Sequence, residues 1–383
     1  MVIYFLVFSI VLIIMYIMTV INISRFPYLN IVKEDEDVSK LPKISVVIPV
    51  YNETKNIEGC LEAVFSSTAL KSSKFEVIVV DDQSTDNTLE LARTFKDKKK
   101  LDNLVIIEGK ARPVERKWVG KNWACWQGAE AVSGDYILFI DADVRLKKGA
   151  IESSLKKAVE NKTDLLTASP CLKFSFIGER LIQPIVFSNV LVVLNPNIVN
   201  KPGNKLSFAI GPFMLFNTET YRKIGGHKEI SAEVLDDGAL ARQIKTSGHI
   251  LMVFNGKDLA DLAMYDSWKG IIEGWSKNYY QSLRSNLGLV FMIILITLLI
   301  NFIPWLNLVI AITYAKSPEI LAGLLGVLLI YLIRLSMYKG LGFETKYWWL
   351  SWMGAFLLCY IVIISILKTY TGKNWTWRGR SLN

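Results

Sequence analysis

Two carboxylates one residue apart, Asp141 and Asp143, follow directly on the apolar run Tyr136-Ile137-Leu138-Phe139-Ile140. Side chains two apart on an extended backbone share a face, so a buried strand ending in Asp-Ala-Asp presents both acids in one direction. Hard oxygen donors in that pattern suit Mg2+ or Mn2+ and, beside the ion, a diphosphate. Three more polar clusters accompany them: Val47-Ile48-Pro49-Val50-Tyr51-Asn52-Glu53, Val79-Val80-Asp81-Asp82-Gln83-Ser84-Thr85-Asp86, and Asp236-Asp237 far downstream. Carboxylates gathered around one crevice repel each other, and a bound cation is the usual relief.

The elements that must carry these residues alternate. Between Pro42 and about Tyr265, short β-branched runs predict strands at Ile44–Val50, Phe75–Asp81, Leu104–Ile107 and Tyr136–Ile140. Helical patterns predict helices near Lys55–Ser66, Thr85–Phe95, Lys121–Ala131 and Ala150–Glu160. That alternation is the signature of an α/β domain with a mostly parallel sheet covered by helices. Ligands of such sheets bind beyond the carboxyl ends of the strands, where the first three acidic clusters fall. Part of the Asp81–Asp86 cluster has a plainer reading, since Asp86-Asn87 before a helical run is also a helix cap.

The chain has 383 residues, 51% of them hydrophobic, and the excess is gathered in blocks at its two ends. Val2–Val20 is long enough to cross a hydrocarbon layer, and with no Lys or Arg ahead of it and no small-residue cleavage site behind, it reads as an uncleaved anchor. Arg25 and Lys33 then lie on the cytoplasmic side, which places the central domain there too. Three further apolar stretches follow: Leu287–Tyr314 with Pro304 inside it, Ile320–Leu335, and Tyr347–Leu367 with Trp348, Trp349 and Trp352 at its start. Positive charge stands both before the last stretch (Arg334, Lys339, Lys346) and after it (Lys368, Lys373, Arg378, Arg380), and one crossing cannot put both on one side. Either one loop breaks the positive-inside rule, or the first stretch splits between Asn301 and Pro304 into a re-entrant or paired element; a cytoplasmic tail is the expectation. The expected organisation is an anchor at 1–23, the α/β domain at 42–280, about three spans within 287–368, and a basic tail at 369–383. This makes a multi-pass protein of the cell membrane. A net charge of +9 is scattered rather than set in a nucleic-acid module, and an anionic leaflet accounts for it. Cys60, Cys125, Cys171 and Cys359 have neither metal nor redox spacing and read as isolated, reduced thiols.

On these motifs, in this order, the chain resembles the family 2 glycosyltransferases of GT-A fold. The matching residues are the Val-Ile-Pro-Val-Tyr-Asn-Glu segment, Val80 to Thr88, Gly120-Lys121-Asn122-Trp123-Ala124, Phe139 to Asp143, and Asp236-Asp237-Gly238-Ala239-Leu240-Ala241-Arg242. The anchor, the C-terminal stretches, Trp275-Ser276-Lys277-Asn278 and Trp377-Arg378-Gly379-Arg380 are similar to the branch that glycosylates carotenoids and hopanoids. The resemblance implies that Asp143 is the direct ligand of Mg2+ or Mn2+, with Asp141 nearer the ribose or just behind the ion. It implies that Asp82 binds the uracil imide and that Pro49, Tyr51 and Glu53 cradle the nucleoside. Tyr51 could equally be simple packing. Lys121, at a helix start, would favour phosphate, although a solvated lysine there is the plainer alternative. Asp237 is implied as the general base of an inverting attack. Asp236 stands where the family has Glu, which leaves the choice between the two acids open, with Glu233 a third candidate. Gly211 and Gly225-Gly226-His227 fall where the family places the donor sugar and acceptor; His227 reads as structural or acceptor-orienting.

Phe176–Leu194 is apolar enough to be either a core helix or a helix lying on the bilayer beside the site, delivering a lipid acceptor. Gln281-Ser282-Leu283-Arg284-Ser285 keeps two positions of the processive synthases' Gln-x-x-Arg-Trp but ends in Ser, and Leu262-Ala263-Met264-Tyr265 lacks an arginine that the lipid-glycosylating branch often carries. The expectation is therefore transfer of a single hexose, from UDP-glucose, to a membrane lipid. The alternatives are a processive polysaccharide synthase, a polyprenyl-phosphate sugar synthase, or a sugar-binding scaffold without activity. No nucleic-acid partner is expected, and the oligomeric state is not legible.

Overall fold

The structure, a computed structural model, describes residues 2–32, 37–283, 286–314, 317–371, 376–377 and 380–381. Lys33, Arg284, Ser285, Lys373, Arg378 and Gly379 lie outside the described residues. The chain forms two compact units, one of Pro27–Cys171, Pro196–Leu262 and Thr376–Asn383, the other of Met1–Phe26, Leu172–Asn195 and Ala263–Trp375.

The first unit is built on strands β1 (Ile44–Val50), β2 (Phe75–Asp81), β3 (Leu104–Glu108), β4 (Tyr136–Ile140), β5 (Val144–Leu146), β6 (Leu165–Ser169), β7 (Cys171–Leu172), β8 (Phe213–Asn217), β9 (Leu251–Asn255) and β10 (Ala260–Leu262). Seven of them make one sheet in the order β3-β2-β1-β4-β8-β6-β9. Strands β3, β2, β1 and β4 run parallel, β8 runs antiparallel to both its neighbours β4 and β6, and β6 and β9 are parallel to each other. β1 and β4 are buried at every residue, as near-continuous apolar strands covered on both faces should be. This is a GT-A-like α/β fold with a mostly parallel central sheet.

The helices Ile57–Ser66, Thr88–Lys99, Gly120–Glu130 and Ala150–Glu160 follow the predicted pattern, two of them starting a turn or so later than expected. β6, β8 and β9 have no counterpart among the strands expected from the sequence.

The antiparallel placement of β8 decides the site's geography. Ile140, the last residue of β4, pairs with Phe213, the first of β8. The chain entering β8 at Gly211 therefore arrives at the rim where β4 delivers Asp141. A parallel β8 would have sent Gly211 to the opposite rim.

The second unit is helical. Among the described residues, four helices are long and apolar enough to cross a membrane: Val7–Ser24, Ile177–Val199, Ser317–Leu341 and Trp348–Thr371, the last including a short 3-10 turn at Trp348–Leu350. A fifth element, Leu287–Asn301 with Ile303–Thr313, is bent by 42° at its break. That break falls between Asn301 and Pro304, the position of one of the two alternatives the charge pattern left open. Proline sits in the first turn of the second half, the position at which its missing N–H costs least. Inside this unit small residues let helices approach: Gly354 lies against the backbone of Leu181 and Gly340 against Ile23. Asn189 donates to Tyr279 Oη at 3.1 Å and to Thr297 Oγ1 at 3.0 Å, so its amide is satisfied away from water. Large apolar side chains such as Phe291, Leu321 and Leu367 remain exposed on the outer faces.

Candidate active site

The rim of the sheet is organised from its backbone outward. After β1, Asn52 takes a left-handed conformation (φ 55°), and after β2 Gln83 does the same (φ 61°). The two loops are latched to each other. Asn52 N–H donates to Ser84 Oγ at 3.0 Å, Thr85 N–H donates to Asn52 Oδ1 at 2.9 Å, and Glu53 N–H donates to Thr88 Oγ1 at 2.7 Å. Glu53 is buried and accepts from Asn56 Nδ2 at 2.8 Å. Pro49 sits on β1 beyond Val47, the last residue paired with β4, so its missing N–H leaves no gap in that ladder. Tyr51 is buried in the same loop.

The acids at the end of β2 divide into two kinds. Asp81 accepts from Ser84 N–H at 3.0 Å, and Asp86 accepts from Thr88 N–H at 3.0 Å and from Thr54 Oγ1 at 3.1 Å. Those two carboxylates hold a turn and a helix start. Asp82 instead faces a side-chain cation: Arg112 Nη2 is 3.7 Å from its Oδ2. Gly120 closes over this pair so tightly that a Cβ there would stand 2.5 Å from Asp82 Oδ2, so glycine is required for the approach.

Lys121, one residue on, joins the distant acids. Its Nζ lies 2.9 Å from Asp141 Oδ1 and 3.3 Å from Asp236 Oδ2. Burial alone would lower the ammonium's pKa, but the charges of Asp141 and Asp236 prevail and hold it well above the usual lysine range. The same neighbourhood surrounds the buried Cys125 thiol, which burial pushes up and which feels Lys121, Asp236, Asp141 and Asp82 together. Three of the residues singled out in the sequence, Lys121, Asp141 and Asp236, thus meet in one place.

The acid pair opens the helix Asp236–Thr246, and its two members differ. Burial works to neutralise Asp236, yet Lys121 and then His227 overcome it and keep this carboxyl below the usual carboxylate range. Asp237 has no such cation in contact. Burial, and after it the charge of Asp236, push its carboxyl up to about 6. Its Oδ2 accepts from Gly211 N–H at 3.2 Å and its Oδ1 from Gly238 N–H at 2.6 Å. Two adjacent acids with pKa values driven apart is the arrangement that lets one serve as a fixed charge and the other exchange a proton.

His227 is fully buried, with Tyr221 Oη 2.8 Å from its Nδ1 and Asp236 Oδ2 3.8 Å from its Nε2. Glu233 stays out of the cluster; its side chain is half exposed and lies 3.8 Å from Arg242 Nη2. Asp143 follows Asp141 at the same strand end and is close enough to Cys60 for its charge to act on that thiol, as are Asp141 and Glu53. All four cysteines are free thiols.

Three contributors escaped the sequence reading. Arg112 pairs with Asp82. Asn122 donates from one Nδ2 to the carbonyls of Ile230, Ser231 and Glu233 at 3.0, 3.2 and 2.8 Å, holding the loop that precedes the acid pair. Tyr221 meets His227. Asn122 lies in the Gly120–Ala124 segment, where only its place directly after Lys121 marks it in the sequence.

Comparison with known proteins agrees with this geometry. Residues 45–225 match the sequence model of the family described as Glycosyl transferase family 2, and the chain carries that domain. A 4,4'-diaponeurosporenoate glycosyltransferase of Staphylococcus aureus strain bovine RF122 / ET3-1 is 27% identical over 241 residues, covering 61% of this chain and 60% of the relative. Its counterpart from strain USA300 matches with the same figures. The matched stretch thus spans about 60% of the length of these curated relatives. Among solved structures, the mannosyltransferase PcManGT from Pyrobaculum calidifontis, in complex with GDP-Man and Mn2+, is similar in fold with a TM-score of 0.53 at 15% identity, covering 96% of this chain and 99% of that one.

Proposed function

We propose that this protein is an inverting, metal-dependent glycosyltransferase that moves a single hexose from a nucleotide-sugar, with UDP-glucose the expected donor, to a hydroxyl or carboxyl group of a membrane lipid. The observation that carries this reading is the bridge made by Lys121. By touching Asp141 and Asp236 it brings the end of β4 and the acid pair of a helix almost a hundred residues downstream to one charged centre.

The donor set fits a divalent cation that arrives with its substrate. Among the described residues no group of three or more His, Cys, Asp and Glu could hold an ion unaided. Two carboxylates at a strand end, with diphosphate oxygens completing the shell, are what Mg2+ or Mn2+ commonly uses. Asp143 and Asp141 would hold it. Bound there, the ion supplies Lewis-acid neutralisation of the charge left on a departing nucleoside diphosphate.

The chain's own residues do the rest. Asp82, kept in place by Arg112 and the close approach of Gly120, offers an acceptor oxygen to the imide of a pyrimidine. Pro49, Tyr51 and Glu53, in a loop already latched, line the nucleoside's place. Lys121 adds positive charge beside the diphosphate. Asp237, ionised at neutral pH and oriented by two backbone N–H groups, takes the proton of the attacking acceptor oxygen. Asp236 stays charged and does not compete for that proton.

The lipid acceptor and the membrane setting rest on two supports: the helices apolar enough to span, and a relative whose name specifies a carotenoid-type acid. The reading places the protein as a multi-pass membrane protein with its α/β domain in the cytoplasm, and the domain limits given above go with it. Full-length protein in detergent, supplied with Mn2+, UDP-glucose and a bacterial lipid extract, should release UDP and yield a lipid heavier by one hexose on mass spectrometry. A polymeric product would refute single transfer, and no nucleotide release from any UDP- or GDP-sugar would refute the enzyme.

A further inference from the structure

We propose that Tyr221 and His227 form a buried positioning pair that fixes the imidazole with its proton on Nε2, facing Asp236, so that Asp236 remains an anion and Asp237 alone is left to exchange a proton. This rests on the reading of Asp237 as the base.

The argument is one of hydrogen-bond accounting. Tyr221 is buried, and its hydroxyl oxygen accepts from the backbone N–H of His227 at 3.1 Å. The hydroxyl's own proton then needs an acceptor, and His227 Nδ1 lies 2.8 Å away. A neutral imidazole that accepts at Nδ1 must carry its hydrogen on Nε2. That N–H faces Asp236 Oδ2 at 3.8 Å; both atoms are buried and, among the described residues, neither has a partner in full hydrogen-bond geometry, the Lys121 ammonium pairing with the same oxygen at 3.3 Å. A carboxylate oxygen so enclosed is costly unless positive charge or a donor dipole faces it. Lys121 supplies the charge from one side and the oriented N–H the dipole from the other.

Aromatic packing holds the ring against turning. Phe139 of β4 meets His227 edge-on at 4.8 Å between centroids and Tyr221 at 5.4 Å, and Phe216 of β8 meets Tyr221 at 5.3 Å. The pair is thus clamped to the two strands whose antiparallel register frames the site. The titratable groups facing it are Asp236 and Lys121 at the imidazole, and Cys125 and Glu130 towards the phenol. The charge of Lys121 disfavours the imidazolium, and Cys125, being buried and pushed up, brings no charge at neutral pH. Asp236 is the charge the ring serves.

Without the Tyr221 hydroxyl, the imidazole has two ways to respond. It can move its proton to Nδ1, turning a lone pair towards Asp236 and driving that acid to protonate, or it can become a cation. Both reduce the net negative charge next to Asp237, so both shift the ionisation of Asp237 to lower pH.

The chain has only two histidines, which makes the first test direct. Full-length protein labelled with 15N-histidine, in detergent at pH 7, should show one imidazole as the neutral Nε2–H tautomer, assigned to His227 by its persistence in His249→Gln. Finding His227 as the Nδ1–H tautomer, or as a cation, overturns the proposal without any substrate. The second test follows UDP release from UDP-glucose with Mn2+ and lipid extract. Tyr221→Phe should lower kcat about tenfold with the KM for UDP-glucose unchanged, and move the acid limb of the pH profile downward. His227→Gln, whose amide can reach the Nε2 position, should retain more activity than His227→Asn, which cannot. Melting curves identify any variant that fails to fold; the tautomer measurement on unmutated protein decides in that event. If Tyr221→Phe and His227→Asn keep both the wild-type kcat and the wild-type pH midpoint, the pair is merely structural. Asp237→Asn, run alongside, separates the two readings, because full turnover in that variant removes the base itself.

Discussion

Two acidic clusters at the same rim of the sheet read alike as sequence and behave oppositely as structure. After β2, Asp81 and Asp86 spend their oxygens on Ser84, Thr88 and Thr54, closing a turn and starting a helix. After β4 and at the head of the helix Asp236–Thr246, Asp141 and Asp236 are balanced by one ammonium in contact, whereas Asp237 accepts from two backbone N–H groups and feels that ammonium only at a distance. The lesson concerns what satisfies a buried carboxylate. One tied into a local turn serves the fold, whereas one held by a long-range side chain or left with a raised pKa is available for chemistry.

Substitution can break this distinction at its strongest point. Asp237→Asn and Asp143→Ala should each lower turnover by at least about a thousandfold while the protein still melts cooperatively. UDP release and a thermal melt measure both halves, and a comparable loss of activity in Asp86→Ala would erase the contrast between the clusters. Next in size is Lys121→Met, which leaves Asp141 and Asp236 without their shared cation. Turnover should drop by about a hundredfold, and supplementing the assay with Mn2+ should restore only a part of it.

The third test is pH. Since Asp237 is pushed up to about 6 and must be ionised to accept a proton, turnover should rise through pH 6 and level off above it. Stability runs the other way for the same group. A folded-state value above the usual 3.8 means that the protonated acid is the better tolerated, so this contribution is complete below about pH 4 and gone above about pH 6. Asp237→Asn should accordingly melt higher than wild type at pH 8 but not at pH 4. A gap equally large at both values would assign the effect to packing. Smallest is Asp86→Ala, expected to cost about 1 kcal/mol of stability through the lost hydrogen bonds to Thr88 and Thr54, with turnover within about twofold of wild type.

Much of this was legible in the sequence, for identifiable reasons. Asp141 and Asp143 could be read because an unbroken apolar strand ends on them, and the parallel strands β1 to β4 because β-branched runs alternate with helical ones. β6, β8 and β9 could not. β6 is interrupted by Thr167 and Ser169, β8 and β9 each end on an Asn and lack the β-branched runs that mark β1 to β3, and the antiparallel entry of β8 leaves no local mark. The partners of the site residues were equally hidden. Nothing near Asn122 announces that its amide will gather three carbonyls from residues 230–233, and nothing near Arg112 points thirty residues back to Asp82. Such contacts exist only once the chain is folded.

One tie at the centre of the site is made by no side chain on its donor side. Gly211 reaches Asp237 through its peptide N–H, and a Cβ there would stand 3.2 Å from the carboxylate. An alanine scan would crowd that bond without removing the donor, and only proline deletes the hydrogen. The aim of the proposed base is therefore inherited from where β8 begins rather than from which residue begins it. An insertion or deletion in the lead-in to that strand would misdirect Asp237 while every named side chain stayed in place.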